Sequence, residues 1–335
     1  MGQVKTKREN HCLNAVKGVA SILVVFGHAI FPGTFGQMVF TLASAGVPIF
    51  FLISGYYSYY EDSQMVAKKT PTKLFNIAKL TFGTCILYFV WKFVYTLLKG
   101  DTLISAIQEF SVKKIATLLV LNDTDVIAGS HLWFLFCLIY AYILLWFLAK
   151  HNIIKWIYPV VILAFIARLF ACRQENWHYM QNFWVDGLPY FFTGFYLNQQ
   201  KEKISKVSSK IAILVAVLGM LWRELIYVIE LPASIPFNVF EIGSIIAAIM
   251  VFVVAHNNGH KGRNSVLEKI GKKYSLYLYI DHVIIFYFIS IYDKQLFGGE
   301  LPLWYEWVKP FVVLAISLMV AVVYSKIVNK RKGKA

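Results

Sequence analysis

Ten apolar runs, each separated from the next by a charged or Pro/Gly-bearing segment, divide the 335-residue chain. They cover about 15–31, 39–59, 76–98, 131–149, 154–171, 185–198, 210–229, 238–256, 274–292 and 307–328. Most approach the ~20 residues that a helix needs to cross a hydrocarbon layer, and the sixth is clearly shorter. The pattern predicts an all-α fold: one polytopic transmembrane helical bundle of about ten helices, with short basic tails and no second domain over 1–335. The segment 99–130 holds ISAIQEF and KKIATLLVL, partly amphipathic stretches that predict interfacial or re-entrant helix over one mouth of the bundle.

Charge orients this bundle. If the N-terminus is cytoplasmic, the inner segments hold 24 of the 33 basic residues and only five of the eighteen acidic ones. Basic residues gathered in alternate loops follow the positive-inside rule and predict both termini inside. The net charge of +15 is then topological. Its default partner is anionic membrane lipid, and no nucleic acid is expected. Trp304, Tyr305 and Trp307 ahead of the last run suit the outer interface. The basic start of the chain resembles a signal peptide, but small residues at Ala43–Ala45 lie too far downstream, so the first run is expected to be retained.

Composition changes little. Apolar residues make up 58% and charged residues 15%, against roughly 45–50% and 25% for a soluble domain. Cys12, Cys85, Cys137 and Cys172 lack metal-ligand spacing and predict neither a disulfide framework nor a zinc site.

The chemistry is expected where polar residues interrupt apolar runs, because ionisable groups in hydrocarbon face a cavity or a partner. Lys17 and His28 lie within roughly 20° of one helical face and about 16 Å apart along it. His131 opens the fourth run, and Asp281 and His282 sit inside the ninth. Lys92, Arg168, Arg223 and Glu224 complete the set. Arg223 and Glu224, about 100° apart on a helix, cannot both enter one seam. The three histidines lack an HxxxH pair or a cysteine partner, so no metal is expected. A histidine acting as general base suits proton removal from a hydroxyl near neutral pH. Glu224 or Asp281 is the carboxylate that would orient it, as in hydrolytic triads.

KGVASILVVFGH at 17–28, FPGTFG at 31–36 and GVPIFFLISGYY at 46–57 resemble the start of the acyltransferase-3 membrane proteins. HLWFL at 131–135, GLPYFFTGFYL at 187–197 and SLYLYIDH at 275–282 follow in the family's order. The resemblance implies a ten-helix O-acyltransferase of the bacterial cytoplasmic membrane. Such an enzyme carries an acyl group, commonly acetyl, from cytoplasmic acyl-CoA to a hydroxyl of a cell-surface glycan, with no permanently bound cofactor. The family hallmark is an arginine, ten intervening residues, and a histidine in the first helix; Lys17 and His28 occupy those positions. The family's second basic motif, RxxR, is absent, and KKTPTK supplies Lys68, Lys69 and Lys73 instead. With Lys17 these are expected to hold the CoA phosphates, without the bidentate fork of arginine. His28 is expected as the base, or as the group that first takes the acyl, with Glu224 or Asp281 to orient it and His282, like His131 and Trp133, to shape the cavity or steady the oxyanion. His131, Trp133 and Arg223 are expected to line the substrate cavity. The competing reading is a transporter or a module that handles a small solute such as an amino acid, since intramembrane His, Arg and Glu also serve proton-coupled carriers.

Overall fold

The computed structural model describes residues 9–108, 111–127, 129–174, 177–232 and 234–332. Every regular element among them is helical. Asn10 opens α1 (His11–His28) by accepting a hydrogen bond from the Leu13 amide at 2.8 Å. The helix therefore begins four residues before the apolar run and ends on His28, three residues before the run does. Pro32 is extended and Gly33 takes a positive φ, so the chain turns at once into α2 (Gly33–Ser44). A one-residue break at Ala45 separates α2 from α3 (Gly46–Tyr56). Pro48 falls in the first turn of α3, where its missing N–H costs nothing.

Next comes α4 (Ser63–Leu98), capped by Asp62 and 36 residues long. At about 1.5 Å per residue it outreaches a ~30 Å hydrocarbon layer, and its polar first third extends beyond the apolar run. The 99–130 region forms two short helices, α5 (Leu103–Gln108) and α6 (Val112–Leu121). No residue of α6 is buried, as an interfacial helix requires. Asn122 ends α6 in the left-handed region, and its buried Oδ1 accepts from the Phe183 amide at 2.9 Å.

The rest of the chain forms α7 (Trp133–Lys150), α8 (Ile157–Ala171) and the single turn α9 (Trp177–Met180), then a π turn at Phe183–Gly187 that leads into α10 (Leu188–Gln199). The turn α11 (Lys201–Ile204) precedes the paired helices α12 (Ser209–Glu224) and α13 (Glu241–Asn257). A turn α14 (Val266–Lys269) and a π turn at Ile270–Tyr274 lead into α15 (Ser275–Phe297), and α16 (Leu303–Lys332) closes the chain.

Among the described residues, seven helical stretches are long and apolar enough to cross a membrane: His11–His28, Gly33–Tyr56, Ser63–Leu98, Trp133–Lys150, Ile154–Ala171, Val266–Phe297 and Leu303–Val328. The runs predicted at 185–198, 210–229 and 238–256 are helical too, but α10, α12 and α13 have 12, 16 and 17 residues. The protein is thus an all-helical, multi-pass membrane protein.

Two close backbone seams fix the bundle. A Cβ on Gly55 would stand 1.8 Å from the Phe191 carbonyl oxygen, and one on Gly194 would stand 2.0 Å from that of Leu52, so α3 and α10 meet only through glycine. Gly18 and Gly271 do the same for α1 and the π turn before α15. Around these seams the core closes on fully buried Phe51, Leu52, Leu135, Phe191 and Phe252.

Four charged side chains pin a further corner. Arg168 of α8 pairs with Asp186 of the first π turn and donates from Nε to Glu241 Oε1 at 2.9 Å. Glu241 Oε2 lies 3.3 Å from Arg223 Nε. Charges that would be costly alone thereby join α8, α12 and α13.

Candidate active site

His28 ends α1, His131 sits in the turn Ser130–Leu132 ahead of α7, and His282 lies within α15. Their rings converge. The centroids of His28 and His282 are 5.0 Å apart, those of His131 and His282 5.1 Å, and those of His28 and His131 6.0 Å, all edge to face. His131 and His282 are buried, whereas His28 is half-buried. Of the three, His28 alone keeps part of its surface exposed.

Two tyrosines complete the shell. Tyr88 of α4, fully buried, places its hydroxyl 3.2 Å from His131 Nε2 and donates to the Ile280 carbonyl at 2.7 Å. Tyr279 of α15 donates its hydroxyl to the His131 carbonyl, which holds the turn against the helix. His282 Nδ1 lies 2.9 Å from the Leu278 carbonyl. His131 Nδ1 and His282 Nε2 are buried and have no hydrogen-bond partner.

Lys17 does not touch this cluster directly. It lines a cavity of about 150 Å³ together with Phe50, Ser54, Phe134 and Tyr279. The Tyr279 ring then stands 5.1 Å from that of His131, so this wall residue lies between the cavity and the histidines. At the end of the bundle where α1 begins, a cleft of about 970 Å³ opens. Its rim carries Lys201, Arg263, His11, His256 and His260 against a single acid, Glu9. The Lys272 ammonium, hydrogen-bonded to Glu9, holds that carboxyl below the ordinary glutamate range.

The other residues expected at the site take varied positions. Lys68 and Lys69 are exposed on α4 and line neither space. Lys73 turns back to the Tyr57 carbonyl and the Ser58 hydroxyl, at 2.7 and 3.0 Å. Trp133 is buried against Phe51, one turn from the cluster. Arg223 belongs to the ion-pair corner, and Glu224 bonds Thr41 of α2. Asp281 follows the cluster helix, with both carboxylate oxygens buried and unpartnered. None of the three makes a hydrogen bond to His28.

Residue spacing gave no sign of Tyr88, because it lies in a run already rich in aromatics. Tyr279 is legible in retrospect: three residues ahead of His282 on a helix, it must share that face. The basic cleft rim gathers residues from four separate loops and helix ends, so no single stretch of sequence displays it.

Two groups of described residues bring three metal-ligating atoms within 4.8 Å of one another: Glu9, His11 and Glu268, and Asp123, Asp125 and His178. The three-histidine cluster is not one of them. In the first group His11 already pairs with Glu268, and Lys272 already pairs with Glu9.

A family model described as an acyltransferase domain, that of the acyltransferase-3 proteins, matches residues 10–326. The chain belongs to the acyltransferase-3 family. It is accordingly a membrane acyltransferase, and the matched region contains the histidine cluster, the Lys17 cavity and the cleft. No curated protein and no solved structure matches the chain.

Proposed function

We propose that this acyltransferase moves an acyl group, most simply acetyl, from cytoplasmic acyl-CoA to a hydroxyl of a cell-surface or lipid-linked glycan. The enzyme would lie in the bacterial cytoplasmic membrane with both termini inside, as the distribution of basic residues favours. The phosphates of the donor would dock in the basic cleft, on Arg263 and Lys201, and Lys17 would guide the arm that carries the thioester. His28 would take the proton of the acceptor hydroxyl; the oxygen would attack the thioester carbonyl, and the CoA thiolate would leave and be protonated.

One observation carries this reading. The cavity that Lys17 lines also has Tyr279 in its wall, and Tyr279 abuts His131. A donor entering beside Lys17 therefore has a short route to the one half-buried histidine of the cluster. The rival carrier reading draws on the buried charges at 168, 186, 223 and 241, but these pair with one another.

The test is transfer of labelled acetyl from acetyl-CoA to membrane glycan by His28→Ala. Losing a general base costs roughly 10²–10⁴-fold, so transfer should fall to near background while the variant still inserts. Undiminished transfer by a correctly inserted variant would sink the scheme.

A further inference from the structure

Asp123, Asp125 and His178 bring metal-ligating atoms together and belong neither to the histidine cluster nor to the basic cleft. The two aspartates stand in the loop between α6 and the turn of His131, and His178 comes from α9. His178 Nδ1 lies 3.4 Å from Asp123 Oδ2, and its Nε2 lies 4.0 Å from Asp125 Oδ2. One ligand atom from each of the three residues falls within 4.8 Å of the other two. A charge-assisted N–H···O bond closes to about 2.7–2.9 Å, which neither pair reaches. Two ligands of one tetrahedral zinc ion, on bonds of about 2.0–2.1 Å, stand about 3.3–3.4 Å apart. The Asp123–His178 spacing matches that edge. Asp125 is 44% exposed, so its carboxylate can rotate inward to complete the set.

The surroundings aim these side chains. Asp123 Oδ1 accepts from the Asp125 amide at 3.1 Å, which leaves Oδ2 toward His178. Thr124, between the two aspartates, is buried and donates its hydroxyl to the Gly129 carbonyl at 2.6 Å. The buried ammonium of Lys92 donates to the Val126 carbonyl at 3.1 Å, so the loop is braced on both sides of Asp125. On the facing element, the Asn182 side-chain amide donates to the carbonyls of His178 and Tyr179, each at 3.1 Å. Ligands carried on a braced backbone have little left to order when an ion arrives.

We propose that Asp123, Asp125 and His178 form a zinc site, with water completing a four-coordinate shell. The donor set selects the ion. Imidazole nitrogen suits zinc, whereas calcium and magnesium take oxygen ligands, about six to eight of them. Three protein ligands and one water match the count at open zinc sites, and two carboxylates balance the dication. The ion fastens α9 to the loop that carries His131, joining two stretches far apart in sequence. Its place is the end of the bundle away from the cleft. Lys201 of the cleft rim lies 3.8 Å from Glu61, and Ser63, at the start of α4, donates to the Ala149 carbonyl near the end of α7 at 3.0 Å. The start of α7, and the aspartate loop before it, therefore lie at the opposite end. In the proposed orientation that end is the outer face. The zinc site does not depend on the reading of His28 as the base.

The experiment is zinc binding by the full chain in nanodiscs, measured by competition with a fluorescent chelator. Zinc chloride is the probe, with calcium and magnesium chlorides as comparators. The unsubstituted protein should bind one equivalent of zinc in preference to either comparator. X-ray absorption of that equivalent should show one imidazole, oxygen ligands and no sulfur. Asp123→Asn, Asp125→Asn and His178→Gln should each weaken it at least about tenfold, since even the outer partners of zinc ligands are worth about 10–100-fold. Asp125→Asn changes an exposed side chain and keeps the test open if a more buried variant fails to insert. Zinc should raise the melting temperature of the unsubstituted protein and leave that of Asp125→Asn where it was. Imidazoles elsewhere are controlled by His28→Ala and His256→Ala, which should both keep the tight equivalent. Zinc uptake that is only weak and without fixed stoichiometry overturns the proposal. So does a tight equivalent that survives Asp125→Asn and His178→Gln together, or one that is lost in His28→Ala or His256→Ala.

Discussion

The ammonium of Lys73 reaches back from α4 to the carbonyl of Tyr57, 2.7 Å away, and closes the end of α3. The same ammonium bonds the Ser58 hydroxyl at 3.0 Å. A lysine that the family resemblance nominates for phosphate is in this fold a clamp between two helices. α3 also carries Ser54 and Phe50 of the Lys17 cavity, so the clamp sets one wall of that space.

Lys73→Ala should therefore act on stability. A hydrogen bond to a charged group contributes about 1.5–3 kcal/mol, and the variant should unfold at correspondingly lower temperature in detergent. The KM for acetyl-CoA of the protein that remains folded should be unchanged. A raised KM at unchanged melting temperature would return Lys73 to the donor site.

Arg263→Ala should behave in the opposite way. Arg263 stands on the cleft rim with Lys201 and offers the planar fork that suits a phosphate. Its loss should raise the KM for acetyl-CoA by about tenfold to a hundredfold, the 1.5–3 kcal/mol of a charged hydrogen bond, and leave kcat and melting temperature in place. Kinetics at low and high salt provide the check, because a phosphate contact on an open rim weakens with ionic strength. A KM that neither rises nor loses salt dependence would remove the cleft from donor binding.

Glu241→Gln addresses the ion-pair corner. Glu241 is buried and serves both Arg168 and Arg223, so neutralising it leaves a buried guanidinium short of charge. Breaking such a pair from one side costs about 3–5 kcal/mol. Thermal unfolding should show that loss. Kinetics of the folded fraction should stay close to those of the unsubstituted protein, since none of these groups touches the histidine cluster. A stable variant with a selective kinetic defect would point to a transport or substrate role for this corner.

The apolar runs displayed the helices because lipid tolerates few alternatives to them. They did not display the ends. α1 begins on polar residues because Asn10 caps it, and α4 continues through Pro71 in a polar stretch that a hydropathy window passes over. The break at Ala45 likewise leaves no mark in an unbroken apolar run. His28, His131 and His282 were legible one by one, as imidazoles in apolar surroundings. Their convergence depends on how α1, α7 and α15 cross, which is set by tertiary packing at seams such as Gly18–Gly271. The carboxylates chosen on the model of a triad, Glu224 and Asp281, lie off His28 because hydrogen-bond partners follow that packing and cannot be read from sequence order.

The Gly18–Gly271 seam also orders events during synthesis. The first half of α1 is shaped to receive a segment that the ribosome makes some 250 residues later, and His282 arrives later still. A nascent chain that has inserted α1, α4 and α7 already holds Tyr88 and His131, yet its reactive cluster is incomplete. Under the proposed mechanism, partly made protein in the membrane would be chemically idle, and activity would switch on only as the last helices dock.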